Sequence, residues 1–157
     1  MDKFISYIGH HGPYILFIVS LFLTLSQKAL FLYILMGYFV NSSINNSFKQ
    51  YFHQQRPSPL YTHITLFGEE QKMPVQELGN RKYGMPSGHS QQVWFFVTFM
   101  YLALKNMWVN ILFFIIACIT SVQRVVYKNH STKQVIVGAI FGIVVAYFYH
   151  HVFVEFN

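Results

Sequence analysis

Residues 86–89 of the chain read Pro-Ser-Gly-His and stand where a polar stretch gives way to an apolar one. Proline is tolerated in the first turn of a helix because its missing N–H has no partner there, so the motif predicts a helix N-terminus. Ser87 and Gly88 would then present a hydroxyl and unpaired backbone N–H groups, which together with the helix dipole favour a phosphate group. His89, in the same turn, is suited to transfer a proton near neutral pH.

Lys49 and Arg56 supply two positive charges at a spacing of seven residues, which is two helical turns. If the helix that contains Lys49 continues to Pro57, both side chains project from one face and can hold the same phosphate. Pro57 ends such a helix, because proline disfavours helical angles at the residue before it. Taken alone, the pair is more typical of basic side chains that reach lipid headgroups.

Arg124 and His130 add a third cation and a second imidazole in the polar segment 123–133. Alone, they too are more typical of a headgroup contact and a histidine bonded to backbone. Gln134 follows His130 by four residues, so the two side chains stack if a helix begins near His130. The amide oxygen can then accept the imidazole N–H and leave the other ring nitrogen free to attack phosphorus. A carboxylate would do this better, because an amide does not neutralise imidazolium.

The amino-acid composition indicates what kind of protein must position these residues. The 157 residues are 54% hydrophobic and only 10% charged, with a mean hydropathy of +0.35. A soluble domain carries about a quarter charged residues, so this is the composition of a membrane protein. We expect one integral-membrane domain over residues 1–157. The net charge of +6 lies mainly in three basic segments, which favours an anion site with lipid-headgroup contacts over nucleic acid binding.

The apolar runs predict an all-α, polytopic membrane bundle of about five transmembrane helices, with the active site at one membrane face. The first run is short and follows a polar N-terminal segment, and the second continues as an Asn- and Ser-rich extension that must line a protein cavity. Residues 58–85 form the main excursion from the membrane. The five predicted spans cover residues 13–26, 29–40, 86–104, 107–122 and 134–154.

This topology brings the three polar segments together. If all five runs span, the end of the second, the start of the third and the turn after the fourth lie on one membrane face. The pocket would then contain three cations, two imidazoles and a hydroxyl but no carboxylate. Such a site holds a multiply charged anion and can perform acid–base and nucleophilic chemistry on it. It lacks the oxygen ligands that Mg²⁺ prefers, so we expect neither a metal nor another cofactor.

The three segments resemble the signature of the type-2 phosphatidic acid phosphatase family of membrane lipid phosphatases and haloperoxidases. That signature is KxxxxxxRP, then PSGH, then SRxxxxxHxxxD. The chain has Lys49 through Arg56-Pro57, then residues 86–89, then Arg124 through His130, each at the family spacing. The resemblance covers about residues 30–150. Gln123 and Gln134 depart from the pattern, where they stand in place of its serine and its final aspartate.

Within the family the chain looks most like the dolichyl-diphosphatase branch, in which a glutamine at the last position is usual. The similar stretches are 82–91, Trp94-Phe95-Phe96 and 130–135. The resemblance implies hydrolysis of a polyprenyl diphosphate to the monophosphate without a metal. His130 would form a phosphohistidine and His89 would protonate the leaving oxygen. The residues expected to hold the phosphoryl oxygens are Lys49, Arg56, Ser87, Gly88 and Arg124.

Other chemistries and other residues remain open at this stage. A phosphatidate-type phosphatase, a lipid-phosphate binder with little activity and a vanadate-dependent haloperoxidase all fit a phosphate pocket. Arg81 and Lys82 are possible contacts for a second phosphate, with surface solvation as the alternative. His53, His63 and the pair His150-His151 are expected to do something else. The expected partners are a lipid diphosphate or monophosphate and membrane lipids. Family resemblance implies the endoplasmic reticulum or an equivalent internal membrane with a lumenal active site, whereas the positive-inside rule points the site to the cytoplasm.

Overall fold

The computed structural model describes residues 3–57, 61–66, 69–74 and 82–152 and contains five helices in these segments. The prediction of an all-α membrane bundle is confirmed. A two-stranded antiparallel hairpin lies within the segment that is expected to be the main excursion from the membrane. The elements are α1 (Lys3–Leu23), α2 (Lys28–Phe52), β1 (Tyr61–Leu66), β2 (Glu69–Pro74), α3 (Gly88–Leu104), α4 (Met107–Val126) and α5 (Thr132–His150).

Helix α3 is the centre of the bundle and packs against all four other helices, most extensively against α5. Its side chains Val93, Phe95, Phe96, Phe99 and Met100 are fully buried. They form one core with buried apolar side chains from each of the four neighbouring helices. The helix that begins at the Pro-Ser-Gly-His motif is therefore held by the whole core.

Three of the described helices are long and apolar enough to cross a membrane: α1 from Phe4 to Leu23, α4 and α5. Helix α3 has only 17 residues, and the C-terminal half of α2 is rich in Asn and Ser. Large hydrophobic side chains on the outer faces, such as Phe22, Trp108 and Phe148, are exposed as they would be to lipid tails. The chain is an integral membrane protein.

Helices α1 and α2 have boundaries that differ from the sequence prediction. Helix α1 begins at Lys3 and passes through Pro13, so the segment read as a polar N-terminus is helical. Helix α2 ends at Phe52, and His53 takes a left-handed conformation with φ of 48°. Arg56 therefore lies beyond the helix, and the prediction that Lys49 and Arg56 share a helical face is wrong. The helix does not reach Pro57 because the left-handed C-cap ends it first.

The polar part of α2 faces α3 through hydrogen-bonded amides. Asn41 donates to the Oε1 atom of Gln92 at 2.9 Å and accepts from Gln91 at 2.8 Å, and Asn45 donates to Gln91 at 2.8 Å. Asn41, Asn45 and Lys49 recur every four residues and are all buried, so they lie along one helical stripe. This amide ladder aligns α2 with α3 and carries Lys49 to the start of α3.

Small residues let α5 approach α3 closely. A Cβ atom on Gly138 would lie 2.6 Å from the carbonyl oxygen of Ser87, and one on Gly142 would overlap the carbonyl of Gln91. Glycines four residues apart on a membrane helix permit such backbone contact. The start of α5, which follows His130, is therefore fixed against the start of α3, which carries His89.

Candidate active site

The three polar segments predicted to converge do meet at one end of the bundle. Lys49 of α2 reaches the carbonyl of Pro86, just before α3, at 2.9 Å. The Nη1 atom of Arg124, in the last turn of α4, lies 3.5 Å from Nε2 of His89. The backbone N–H of His130 donates to the carbonyl of Arg124 at 3.1 Å. Residues that are far apart in the sequence thus share one site.

Lys49 is buried and holds the loop that leads into α3. Its ammonium group donates to the carbonyl oxygens of Tyr83 and Pro86, each at 2.9 Å. An ammonium has three donors, so two backbone acceptors leave one N–H for another partner. Lys49 is therefore both a cation of the site and the brace of its Pro-Ser-Gly-His loop.

Arg56 joins the site from the segment after α2. Its Nη1 atom donates to the carbonyl of Asn129 at 3.3 Å, which links this segment to the α4–α5 connection next to His130. The position differs from the predicted helical one, but the guanidinium still arrives at the same end of the bundle.

Ser87 is the N-cap of α3 and is fully buried. Its backbone N–H donates to the carbonyl of Gln134 at 3.0 Å, so the prediction that this N–H is unpaired is wrong. Pro86 precedes the N-cap instead of entering the first turn. Gly88 and His89 are the first two helical residues, whose N–H groups have no partner within the helix. A Cβ atom on Gly88 would lie 3.2 Å from Oδ1 of Asn45, which shows how closely α2 passes this terminus.

Arg124 is buried within the last turn of α4, although the sequence placed it in the turn beyond. Its Nε atom donates to Oε1 of Gln123 at 2.6 Å. Gln123 stands where the family signature has a serine, and here it orients the guanidinium through a neighbouring side chain. The two terminal nitrogens point to imidazoles, Nη1 to His89 and Nη2 to His10.

His130 is buried in the α4–α5 connection, and its Nδ1 atom lies 2.8 Å from the carbonyl oxygen of Gly84. Because a carbonyl only accepts, Nδ1 carries the proton and Nε2 keeps its lone pair. The Oε1 atom of Gln134 is farther from Nδ1, at 3.3 Å. The backbone of Gly84 is thus the nearer of the two acceptors, a partner that sequence reasoning missed because every residue has a carbonyl.

Gln134 has further partners that explain its place. Its Oε1 atom accepts from the N–H of Ser131 at 3.1 Å in a capping box that starts α5. Its Nε2 atom donates to Oε1 of Gln54 at 3.2 Å and to the carbonyl of Gln55 at 2.8 Å. An ionised aspartate has no proton to donate and could make neither of the last two bonds. Gln134 therefore binds the segment after α2 to the start of α5, over the Gly84 carbonyl.

The environment of His130 favours the neutral imidazole. Burial lowers its pKa well below the ordinary value, and the charges of Arg56, Lys49 and Arg124 lower it further. The hydrogen bond to Gly84 acts in the opposite direction and is outweighed. At neutral pH the unprotonated form, which is the nucleophilic one, is the form present.

The helical part of the chain supplies no negative charge. The whole chain has five acidic residues, and none of them lies in residues 3–57 or 82–152. They are Asp2, Glu69, Glu70, Glu77 and Glu155. Lys49 and Arg124 are buried all the same, bonded to carbonyls, an amide and imidazoles. Buried cations without a counter-ion are costly, so a multiply charged anion is the natural ligand. Within the described segments no group of three or more His, Cys, Asp or Glu side chains is placed to hold a metal ion.

His10 of α1 also reaches the site, which sequence reasoning missed. Its Nδ1 atom lies 3.2 Å from Nη2 of Arg124, and its ring centroid lies 5.6 Å from that of His89. The sequence signal for this residue is the pair His10-His11. The pair lies in the segment that was predicted to be a polar N-terminus. Only the long α1 helix, which packs on α4, brings it to the site.

Two residues proposed for a second phosphate have different outcomes. Arg81 lies outside the described residues. Lys82 is exposed, with its Nζ atom 5.1 Å from the centre of the Tyr83 ring. His53, expected to act outside the site, stacks edge-on against the same Tyr83 ring at 4.7 Å.

A cavity of about 180 Å³ adjoins His89 between α1, α2 and α3. Amide and hydroxyl groups form much of its wall. A larger apolar cavity of about 670 Å³ lies at the opposite ends of α3 and α4 and contains none of the candidate residues. The smaller cavity is lined by Pro13, Tyr14, Tyr38, Ser42, Asn45, Asn46, Gly88, His89 and Gln92.

Comparison with known proteins identifies the family. A family model described as the PAP2 superfamily matches residues 28–157. The chain belongs to the PAP2 superfamily. No curated protein matches it. A crystal structure of a transmembrane PAP2-type phosphatidylglycerolphosphate phosphatase from Bacillus subtilis shares its fold, with a TM-score of 0.64 at 17% identity over 98% of this chain and 75% of the other.

Membership of the PAP2 superfamily confirms the family resemblance and supports a membrane lipid phosphatase, which is a phosphoric ester hydrolase. The matched region begins with α2, so α1 and His10 lie outside it. The similarity to the bacterial enzyme establishes the bundle architecture alone, because the identity is low.

The contact between Gln134 and His130 generates a pH prediction. Gln134→Glu keeps the capping box and places a carboxylate near Nδ1 of His130, which favours imidazolium and raises the pKa of His130. For a nucleophilic His130 the neutral imidazole is the reactive form, so the acid limb of kcat/KM against pH is expected to move to higher pH. Gln134→Ala is the control without a charge. Superimposable acid limbs for the two variants would contradict the prediction.

Proposed function

We propose that the chain hydrolyses a lipid phosphate through a covalent phosphohistidine on His130, without a metal. The observation that supports this most directly is the 2.8 Å contact from Nδ1 of His130 to the Gly84 carbonyl. It leaves the Nε2 lone pair available on the other side of the ring. The charges of Arg56, Lys49 and Arg124 act on the same imidazole, so a phosphate they hold lies near the nucleophile.

The reaction has two steps. In the first, Nε2 of His130 forms a bond to phosphorus, the bond from phosphorus to the lipid-side oxygen breaks, and His89, which is protonated when the phosphate is bound, gives that oxygen its proton. In the second, the now neutral His89 takes a proton from water, the water oxygen attacks phosphorus, and the P–N bond breaks, which releases phosphate and restores the protonated His89 and the neutral His130. The cations Lys49, Arg56 and Arg124 stabilise the charge on the phosphoryl oxygens, assisted by Ser87 and the N–H of Gly88 at the helix N-terminus.

For the substrate we propose a polyprenyl diphosphate of the dolichyl type, whose leaving group is a polyprenyl phosphate. The support is the resemblance of residues 82–91 and 130–135 to that branch, together with Gln134. The hydrogen bonds of Gln134 to the segment after α2 give glutamine a structural purpose at this position.

A second candidate is a phosphatidate-type lipid monophosphate. The cavity beside His89 favours it, because amides and hydroxyls contribute to its walls and no lysine or arginine is among the described residues that line it. A leaving alcohol with polar, uncharged groups fits such walls better than a second phosphate does.

Turnover by the purified protein in detergent tests the proposal. Dolichyl diphosphate, farnesyl diphosphate and phosphatidic acid are compared, each with and without EDTA. His130→Ala is expected to lower phosphate release at least about a thousandfold, because the nucleophile is lost. EDTA is expected to have no effect. His151→Ala, at an exposed histidine at the end of α5, is the matched control and keeps wild-type turnover.

Full activity in His130→Ala, or activity that requires added metal, would contradict the mechanism. Preference for phosphatidic acid over both diphosphates would contradict the polyprenyl assignment and leave the mechanism standing. A protein that binds lipid phosphate and turns over none of the three substrates would be a binder of the same fold.

We also propose that the protein resides in the endoplasmic reticulum or an equivalent internal membrane, with the site on the lumenal side. The support is family resemblance. The positive-inside rule gives the opposite orientation, because among the described residues most lysines and arginines lie at the site end, and Lys28 and Lys105 lie at the other. Several of these cations belong to the site itself, which weakens the rule here.

Cysteine labelling in sealed vesicles determines the orientation. Lys82 and Lys105 are exposed at opposite ends of the bundle, and the sole native cysteine, Cys118, can be replaced by serine. In microsomes with the cytoplasmic face outward, Lys82→Cys is expected to stay unlabelled by a membrane-impermeant maleimide until detergent is added, whereas Lys105→Cys reacts at once. The reverse pattern would place the site in the cytoplasm.

A further inference from the structure

Helix α1 places an imidazole beside the arginine of the site. The Nδ1 atom of His10 lies 3.2 Å from Nη2 of Arg124. Arginine only donates, so Nδ1 of His10 is the acceptor in this bond and its proton is on Nε2. The PAP2 family match begins at residue 28 and therefore assigns no role to this residue.

Two glycines of α1, Gly9 and Gly12, allow this helix to pack closely against α4 near His10. A Cβ atom on Gly9 would lie 2.5 Å from the Cβ of Gln123, and one on Gly12 would overlap the hydroxyl of Thr120. A side chain at either glycine would require Gln123 or Thr120 to shift. The two glycines flank His10, so the turn that carries the imidazole packs closely against α4.

The guanidinium of Arg124 has an acceptor for each of its nitrogens. Nε bonds to Gln123 at 2.6 Å, Nη2 to His10 at 3.2 Å, and Nη1 lies 3.5 Å from His89. Three fixed directions determine the plane of the group. The contact with His89 is the longest of the three, so the edge of the guanidinium nearest His89 is the one that a phosphate can take over.

We propose that His10 is a positioning residue, which holds Arg124 so that its edge nearest His89 meets the phosphoryl group. The inference rests on the proposed function, in that the phosphoryl group is that of the lipid substrate. An arginine side chain has many rotamers, and an acceptor that fixes it before binding removes this entropic cost from the binding step. Correct placement also matters to the reaction rate, because small displacements of a catalytic cation are costly.

Substitutions of His10 test whether the side chain acts as a hydrogen-bond acceptor for Arg124 or only fills space. The side-chain oxygen that His10→Asn introduces occupies roughly the place of Nδ1, whereas the oxygen that His10→Gln introduces falls near the place of Nε2. We therefore expect His10→Asn to keep activity within about threefold of wild type. His10→Gln and His10→Ala are expected to lose about 10- to 100-fold in kcat/KM. His151→Ala, at an exposed histidine at the end of α5, is again the matched control, and it stays near wild type.

Binding of orthovanadate by the full chain in detergent, followed by calorimetry, gives a readout that needs no turnover. The dissociation constant is expected to rise roughly tenfold in His10→Gln and His10→Ala and to stay near wild type in His10→Asn. Equal affinity and equal turnover in the Asn and Gln variants would overturn the role of His10. If wild type binds vanadate but hydrolyses no lipid phosphate, the proposed function fails, while the same ranking of affinities would still support His10 as the residue that orients Arg124.

Discussion

The structure depends on the burial of positive charge among helices that carry no carboxylate to balance it in residues 3–57 and 82–152. Lys49 and Arg124 are buried, and the chain has no acidic residue in 3–57 or 82–152. Their charges are tolerated because carbonyl oxygens, an amide and imidazole nitrogens accept their hydrogen bonds. These neutral acceptors solvate a cation but leave its net charge in place, so the pocket as a whole attracts an anion. A phosphoryl group supplies the missing negative charge that a carboxylate would otherwise provide.

Neutral groups also do the positioning that carboxylates do in many hydrolytic sites. The carbonyl of Gly84 fixes the tautomer of His130, and Gln123 and His10 fix Arg124. A carboxylate at any of these places would attract the nearby cations and compete with the phosphate for them. The amide ladder between α2 and α3 continues the same design, since its Asn and Gln side chains align the helices without adding charge. The cations of the site therefore remain available to bind the negative charge of a substrate.

The sequence predicted the bundle and the convergence of its polar segments, because apolar runs and helical spacing are local signals. The sequence-based predictions were wrong or incomplete where tertiary contacts determine the end of a helix or the partner of a hydrogen bond. Helix α2 ends at Phe52 through a left-handed His53, so Arg56 reaches Asn129 from a loop instead of a helical face. The Ser87 N–H is taken by Gln134, and the nearest acceptor of His130 is a backbone carbonyl, which no side-chain pattern reveals. His10 was missed for two reasons. Its partner Arg124 is 114 residues away in the sequence, and the polar residues at the start of α1 were not predicted to be helical.

Covalent phosphorylation of His130 is the step on which the proposed chemistry rests. It can be observed by mixing the protein with a labelled lipid phosphate, quenching within one turnover under alkaline denaturing conditions, and locating the label by mass spectrometry. We predict a phosphoryl group on His130 and on no other residue, formed before phosphate appears in solution and absent from His130→Ala. Release of phosphate at full rate with no covalent label, or a label on another side chain, would contradict this mechanism.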